Sequence, residues 1–155
     1  MAPSLHTAYE CSLEEVLCLI LNFCHLLVPP GHDEAVSLLL ANGVPVDPLN
    51  YRGTPLHGAA AMDQDQALKI LLEHGADPNR ILQHVLSPLT LAYCARSLKC
   101  MKLLVEADAD VNFNSPRGKP VLMMAVDNGL TDIVKYLLEV GADPNIHGRE
   151  SSIFA

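Results

Sequence analysis

Seven histidines, five cysteines and a recurrent set of aspartates are the residues of this chain that could do chemistry. A histidine beside a cysteine can make a nucleophile pair, and Cys24 stands directly before His25. Adjacent residues on a helix point apart, which argues against that pair. Metal binding needs ligands at paired spacing. Cys11, Cys18, Cys24, Cys94 and Cys100 contain no Cys-x-x-Cys, and no second ligand pair accompanies Cys24-His25. Reduced, buried thiols are therefore expected, with no metal and no cofactor. That usage points to a reducing compartment, the cytoplasm, with the nucleus as the alternative. His6, His84 and His147 have no acid or nucleophile at a meaningful spacing. His32 falls at an expected helix start, and His74 in a last helical turn, where it complements the helix dipole. Asp77, Asp110 and Asp143 recur at one period, which suits a turn rather than an acid–base pair. No Gly-rich phosphate loop, Walker sequence or zinc-protease helix is present. The chain is expected not to be an enzyme.

The strongest signal is self-similarity. Leu-Leu-Glu-His-Gly-Ala-Asp-Pro-Asn at 71–79 recurs at 104–112 and again at 137–145, with equal steps and no gap. A weaker copy stands upstream at 39–47, one position short of the same step. A second block, Thr-Pro-Leu-His-Gly-Ala at 54–59, aligns with 87–92 and 120–125. Thr54 and Ser87 put a hydroxyl before proline, which suits an N-cap followed by Pro at the first helical position. Ala59, Ala92 and Ala125 are small where two helices must approach. Leu71, Leu104 and Leu137 are expected between layers. Gly75 and Gly141 follow helical runs where a positive φ closes the helix, and Asp108 holds that place in the middle copy. Each unit reads as short helix, turn, short helix and an extended, turn-rich link.

These blocks resemble the ankyrin repeat, whose Thr-Pro-Leu-His-x-Ala stands at 54–59 and Gly-Ala-Asp-x-Asn at 75–79 and 141–145. The resemblance covers residues 31–145. It implies an all-α ankyrin solenoid of stacked helix-turn-helix units with β-turn fingers, and a hydrogen-bonding role between layers for His57. Units two to four also look like the ankyrin segment of plant proteins that join ankyrin repeats to a tetratricopeptide domain. The runs 97–106 and 125–132 carry that closer likeness.

The expected organisation is a divergent N-terminal helical segment or cap (1–30), units at 31–49, 50–82, 83–115 and 116–145, and a tail (146–155). Ser12 and Glu15 form a capping box ahead of an apolar helix over 13–28. The apolar stretch 16–28 falls well short of the ~20 residues that span a membrane. It also lacks a basic leader. Pro29-Pro30-Gly31 breaks it. Inner helices are expected at 55–62, 88–95 and 121–128, outer helices at 65–74, 98–107 and 131–140, and fingers at 44–53, 76–86 and 109–119.

Composition agrees with a folded array. Of 155 residues, half are hydrophobic, 18% are charged and none is Trp, so the core is aliphatic and disorder is excluded. The net charge of −8 argues against nucleic acid. It is unevenly spread: residues 1–51 carry no Lys or Arg.

With chemistry excluded, binding is left. The resemblance implies that a protein partner meets the finger tips and the exposed ends of the inner helices. Those positions are Tyr51, Arg52, Ala61 and Met62 in unit two; Gln83, His84, Leu86, Cys94 and Ala95 in unit three; and Pro116, Arg117, Lys119, Asp127 and Asn128 in unit four. The leading function is a scaffold or adaptor for a protein partner. The alternative is an inhibitory module that blocks an enzyme such as a kinase. The finger at 81–86 has neither glycine nor charge, so it either packs on its neighbours or offers an apolar patch. Arg117 and Lys119 make the finger of unit four basic, a local break in the acidic field. Solenoid ends need polar caps, and neither end has one. Val121, Met124 and Leu137 are the apolar residues expected at the C-terminal side. Either the chain is a truncated relative of a longer protein, the preferred reading, or its ends are covered by self-association.

Overall fold

The computed structural model describes residues 32–48, 53–114 and 118–146. Among the described residues the chain forms seven helices: α1 (His32–Ala41), α2 (Pro55–Ala61), α3 (Asp65–Glu73), α4 (Pro88–Cys94), α5 (Leu98–Glu106), α6 (Val121–Asp127) and α7 (Thr131–Glu139). This is the expected all-α array of helical hairpins. The short helices α2, α4 and α6 stack on one another as an inner layer. The longer α1, α3 and α5 stack as an outer layer, and each inner helix also packs on the outer helix that follows it. The expected start of every helix from α2 onward is matched. Each ends one residue sooner than expected, because Met62, His74, Ala95, Ala107, Asn128 and Val140 are C-caps with largely non-helical backbone. The expected 13–28 helix, its capping pair and the tail beyond 146 lie outside the described residues.

Helices as short as α2, α4 and α6 are not stable alone, so their ends and packing must hold them. Ser87 Oγ accepts the Thr90 N–H at 3.1 Å, and Ser97 Oγ accepts the Cys100 N–H at 3.2 Å. Pro120 heads α6 without a side-chain cap. The C-terminal ends share one solution. Ala76, Ala109 and Ala142 donate N–H to the carbonyls of Leu71, Leu104 and Leu137 at 2.9–3.0 Å. The residue before each alanine bonds one carbonyl further along, which is the Schellman closure. It needs a left-handed residue, supplied by Gly75 (φ 89°), Asp108 (φ 64°) and Gly141 (φ 92°), as expected. The inner helices close in the same way through Gln64, Ser97 and Leu130, which donate to Ala59, Ala92 and Ala125. There the left-handed residues are Asp63, Arg96 and Gly129. Of the two non-glycines in that set, Asp63 is of a type that tolerates positive φ, whereas Arg96 carries no sequence signal for it.

The core is aliphatic and alanine-rich. Ala59, Ala92 and Ala125 are fully buried where inner helices cross, and Leu71, Leu104 and Leu137 are fully buried between the layers. At the C-terminal side the expectation needs correcting. Val121 and Leu137 are buried and Met124 is half-buried, because they face back into the array. Val126 and Leu138 are the exposed apolar residues there.

The links between units are laced by side-chain amides and carboxylates. Asn79 Oδ1 accepts the Asp110 N–H, and Asn112 Oδ1 accepts the Asp143 N–H, both at 2.7 Å. Asp47 Oδ2 accepts the Asp77 N–H at 2.9 Å. Within each link Asp77, Asp110 and Asp143 accept the N–H two residues on, an Asx turn. The recurrent aspartates are therefore turn residues. The weak copy at 39–47 belongs to the array, since Asp47 does for unit one what Asn79 and Asn112 do later.

Candidate protein-binding face

His57 shows how a motif residue is consumed by structure. Its ring is buried, and Nδ1 accepts the Thr54 N–H at 3.2 Å while lying 2.9 Å from Thr54 Oγ1. That pattern leaves the ring proton on Nε2. The backbone groups of Leu86 and Arg80, in the next finger, act on the ring as acceptors, neither at full hydrogen-bond geometry with Nε2. Burial pushes the His57 pKa below its ordinary 6.5, against the opposing pull of Leu86, Arg80 and the Asp47 carboxylate. Gly53 makes this site possible. A Cβ there would lie 3.0 Å from the His57 ring and 3.1 Å from Leu82, and its φ of 103° suits glycine alone. The histidine links an inner helix to the following finger, and its Nε2 is sealed from solvent. In unit three, Thr90 takes its place and pairs with Ser87 at 2.9 Å.

Of the cysteines expected to be buried, Cys11, Cys18 and Cys24 lie outside the described residues, Cys100 meets the expectation, and Cys94 corrects it, because it ends α4 on the exposed edge. Cys100 is buried, its Sγ lies 4.0 Å from Asp63 Oδ1, and burial raises its thiol pKa. Cys94 is exposed and unpaired. His74 Nδ1 sits 2.8 Å from the Ile70 carbonyl at the end of α3. No group of His, Cys, Asp and Glu among the described residues could hold a metal ion. No helix among them is long and apolar enough to cross a membrane.

Of the expected binding residues, Tyr51, Arg52, Pro116 and Arg117 lie outside the described residues. Ala61, Cys94 and Asp127 are the last residues of α2, α4 and α6, and Met62, Ala95 and Asn128 follow them. They form two columns along one edge of the inner layer. Ala61, Met62 and Ala95 are half-buried; Cys94, Asp127 and Asn128 are exposed. Unit four draws several residues together. Lys119 Nζ pairs with Asp127 Oδ2 at 3.1 Å, and Asn128 Nδ2 donates to the Tyr93 hydroxyl at 2.7 Å. The basic finger expected to break the acidic field is thus neutralised at Lys119. Asn128 also donates to the Met124 carbonyl at 3.0 Å, which fixes its rotamer. Tyr93 was not expected on this edge. Its signal was available, as the one aromatic residue in α2, α4 and α6.

The finger of unit three is a tight hairpin. Leu82 and Leu86 exchange N–H···O bonds of 2.8 and 3.0 Å across the turn residues Gln83 (φ 52°) and His84 (φ 60°). This left-handed pair defines a type I′ turn, normally Asn-Gly. Leu82, Val85 and Leu86 are half-buried and only Gln83 and His84 stand out, so the finger packs on its neighbours. Left-handed backbone costs about 1–2 kcal/mol at an ordinary residue. Gln83→Asn with His84→Gly should therefore stabilise the chain by about 1 kcal/mol, read as a higher urea midpoint at unchanged slope.

The comparisons with known proteins agree with this geometry. The family description Ankyrin repeats (3 copies) matches residues 4–81 and 83–147. Ankyrin repeat and SOCS box protein 6 of Homo sapiens is 36% identical over 124 residues, covering 73% of this chain and 29% of that protein. The nuclear factor NF-kappa-B p105 subunit of Gallus gallus is 34% identical over 122 residues, 76% of this chain and 12% of that protein. The transient receptor potential cation channel subfamily A member 1 of Homo sapiens is 32% identical over 96 residues, 61% of this chain and 9% of the channel. The chain thus spans less than a third of the length of these relatives. By the family match, the constant repeat step and the laced fingers, this chain belongs to the ankyrin-repeat family.

Proposed function

We propose that the chain is a non-catalytic scaffold or adaptor, in the cytoplasm, that holds a protein partner against the concave edge formed by the inner-helix ends and finger tips. The observation that carries this reading is a contrast between columns. Two buried columns keep one residue type throughout, alanine at 59, 92 and 125 and leucine at 71, 104 and 137. The columns on the edge change type at every step: Ala61, Cys94, Asp127 and Met62, Ala95, Asn128. Interior columns can change type and stay apolar, as at Ala67, Cys100 and Ile133, whereas the edge columns pass from apolar to charged and amide side chains, and recognition can be written there. The edge grades from apolar in units two and three to polar in unit four, where the Lys119–Asp127 pair and Asn128 supply directional groups. Ankyrin repeats stand beside a SOCS box in one relative by its name, which fits a module that presents a partner to another part of a protein. The likeness to plant ankyrin–tetratricopeptide proteins is compatible with the same role.

The test is affinity capture with the intact chain, followed by titration of the recovered partner against Met62→Glu, Cys94→Glu and Asn128→Lys. At least one substitution should weaken binding tenfold or more, about 1.4 kcal/mol, with unchanged helical content. Unaltered affinity in all three would remove the edge as the binding site. Loss of an enzyme partner's activity on stoichiometric addition would convert the scaffold into an inhibitory module.

A further inference from the structure

The Asn128 amide is used at one end and open at the other. Its Nδ2 donates to the Met124 carbonyl at 3.0 Å and to the Tyr93 hydroxyl oxygen at 2.7 Å. A carbonyl can only accept, so the atom facing Met124 is the amide nitrogen and the orientation of the side chain is fixed. Both amide protons are then engaged. The Tyr93 oxygen accepts one of them and keeps its own proton to donate. Among the described residues nothing accepts that proton, and nothing donates to Asn128 Oδ1. The Tyr93 ring is only 6% exposed, so the core holds it, while Asn128 is exposed on the edge. An unfilled donor and an unfilled acceptor thus stand side by side on a rigid support.

The fold does not require this pair. One period earlier the same two positions are Ala60 and Ala95, and α2 still packs on α4 there. The polar pair is an addition made only between units three and four.

A donor beside an acceptor matches one residue of an extended chain. Such a residue turns its N–H and C=O to the same side, and in an antiparallel ladder gives both to one partner residue. A helix cannot present them so, because its N–H and C=O point opposite ways along the axis and bond internally. Neighbouring helices pack about 8–10 Å apart, and an extended chain advances about 3.3 Å per residue. Roughly three residues of such a segment therefore cross each unit. Beyond Asn128 the segment meets Ala95 and Met62, which are apolar and half-buried.

We propose that Tyr93 and Asn128 read the backbone of an extended, apolar peptide segment of the partner, the hydroxyl donating to the C=O of one residue and Oδ1 accepting its N–H. This rests on the scaffold reading above and names what its edge holds. Rigid placement of both groups lowers the ordering cost of binding.

The probe is a linear peptide of about twelve residues, long enough to cross three units, selected from a displayed library against the intact chain. Tyr93→Phe and Asn128→Ala should each weaken it tenfold or more, with wild-type far-UV circular dichroism. Replacing the amides of the peptide one at a time by esters removes single N–H groups without touching the protein. One such ester should weaken binding to the wild type about tenfold, yet change the affinity for Asn128→Ala by less than about twofold, since the two changes remove the same bond. An ester effect of equal size in both proteins would overturn the proposal, as would a library that yields no linear binder. Peptides weakened by Met62→Glu or Cys94→Glu but not by Tyr93→Phe or Asn128→Ala would overturn it while leaving the edge as the binding site. Peptides indifferent to all four substitutions would remove the edge as well.

Discussion

Leu104→Ala should lower the unfolding free energy by about 3 kcal/mol, the usual cost of emptying a fully buried leucine site. Leu104 has no exposed surface, sits between the layers in the central complete unit, and its carbonyl anchors the Schellman closure that turns α5 into the next link. The cavity cannot readily collapse, because α5 is held on one side by α3 and on the other by α4. Domains of this size have about 5–15 kcal/mol in total, so the loss is severe. Its form should also be distinctive. A solenoid is a chain of units coupled to nearest neighbours, so weakening a central unit uncouples those on either side. Urea denaturation followed by circular dichroism should show a broadened or two-step transition. Leu103→Ala, at a half-buried position on the same helix, should shift the midpoint far less and leave the transition sharp. A Leu104→Ala profile indistinguishable from Leu103→Ala would contradict the packing described.

His57→Thr should cost about 2 kcal/mol at pH 8, a cavity plus lost polar contacts, and the cost should shrink in acid. Threonine copies the solution of unit three, where Ser87 and Thr90 pair, so the α2 cap survives. What is lost is the buried ring that fills the space beneath Gly53 and Leu82 and interacts with the backbone of Arg80 and Leu86. The direction with pH follows from the lowered folded-state pKa. The unfolded chain binds the proton more readily, so the neutral ring contributes its full stability above pH 6.5. That contribution declines as pH falls through 6.5 toward the folded-state value, and is constant again below it. Asp47 and Arg80 are the charged groups acting on the ring, with opposite signs. The other histidines are common to both proteins and cancel in the difference. Denaturant titrations of both at pH 8 and pH 5 should give a smaller gap at pH 5. A gap that is constant or grows in acid would mean that the ring is not held neutral.

The repeat was legible because its chemistry is local. A hydroxyl before proline caps a helix by its nearest N–H groups. Glycine after a leucine-rich run closes one through bonds that stay within a single turn and its neighbour. Asp-x-Asn makes its Asx turn alone. These explain why α4 begins at its expected position and why Asp108 could be placed at a left-handed residue without glycine; α3, α6 and α7 begin without a side-chain cap, and their starts follow from register with the other units. The candidate site was less legible. The columns at 61, 94, 127 and 62, 95, 128 followed from register, but register says nothing of partners. It did not reveal that Lys119 spends its charge on Asp127, since the two ends of that bond belong to a finger and a helix end. Nor did it reveal Tyr93 beneath Asn128, whose bond crosses from one unit to the next.

Sequence alone determined the period, the starts of the helices from α2 onward, the Ser87 cap and the closures at Gly75, Asp108 and Gly141, because each depends on contacts within a few positions of the chain. Tertiary structure alone decided which surfaces stay open. The identity of Val126 as an exposed residue, against Val121 and Leu137 as buried ones, depends on what stacks beside unit four. The Asn-to-Asp bonds that lace the fingers need two units at a set distance, and so does the seat of His57 under the following finger. Exposure and inter-unit hydrogen bonding are relations between residues a full repeat apart, and only the packed array brings them into contact.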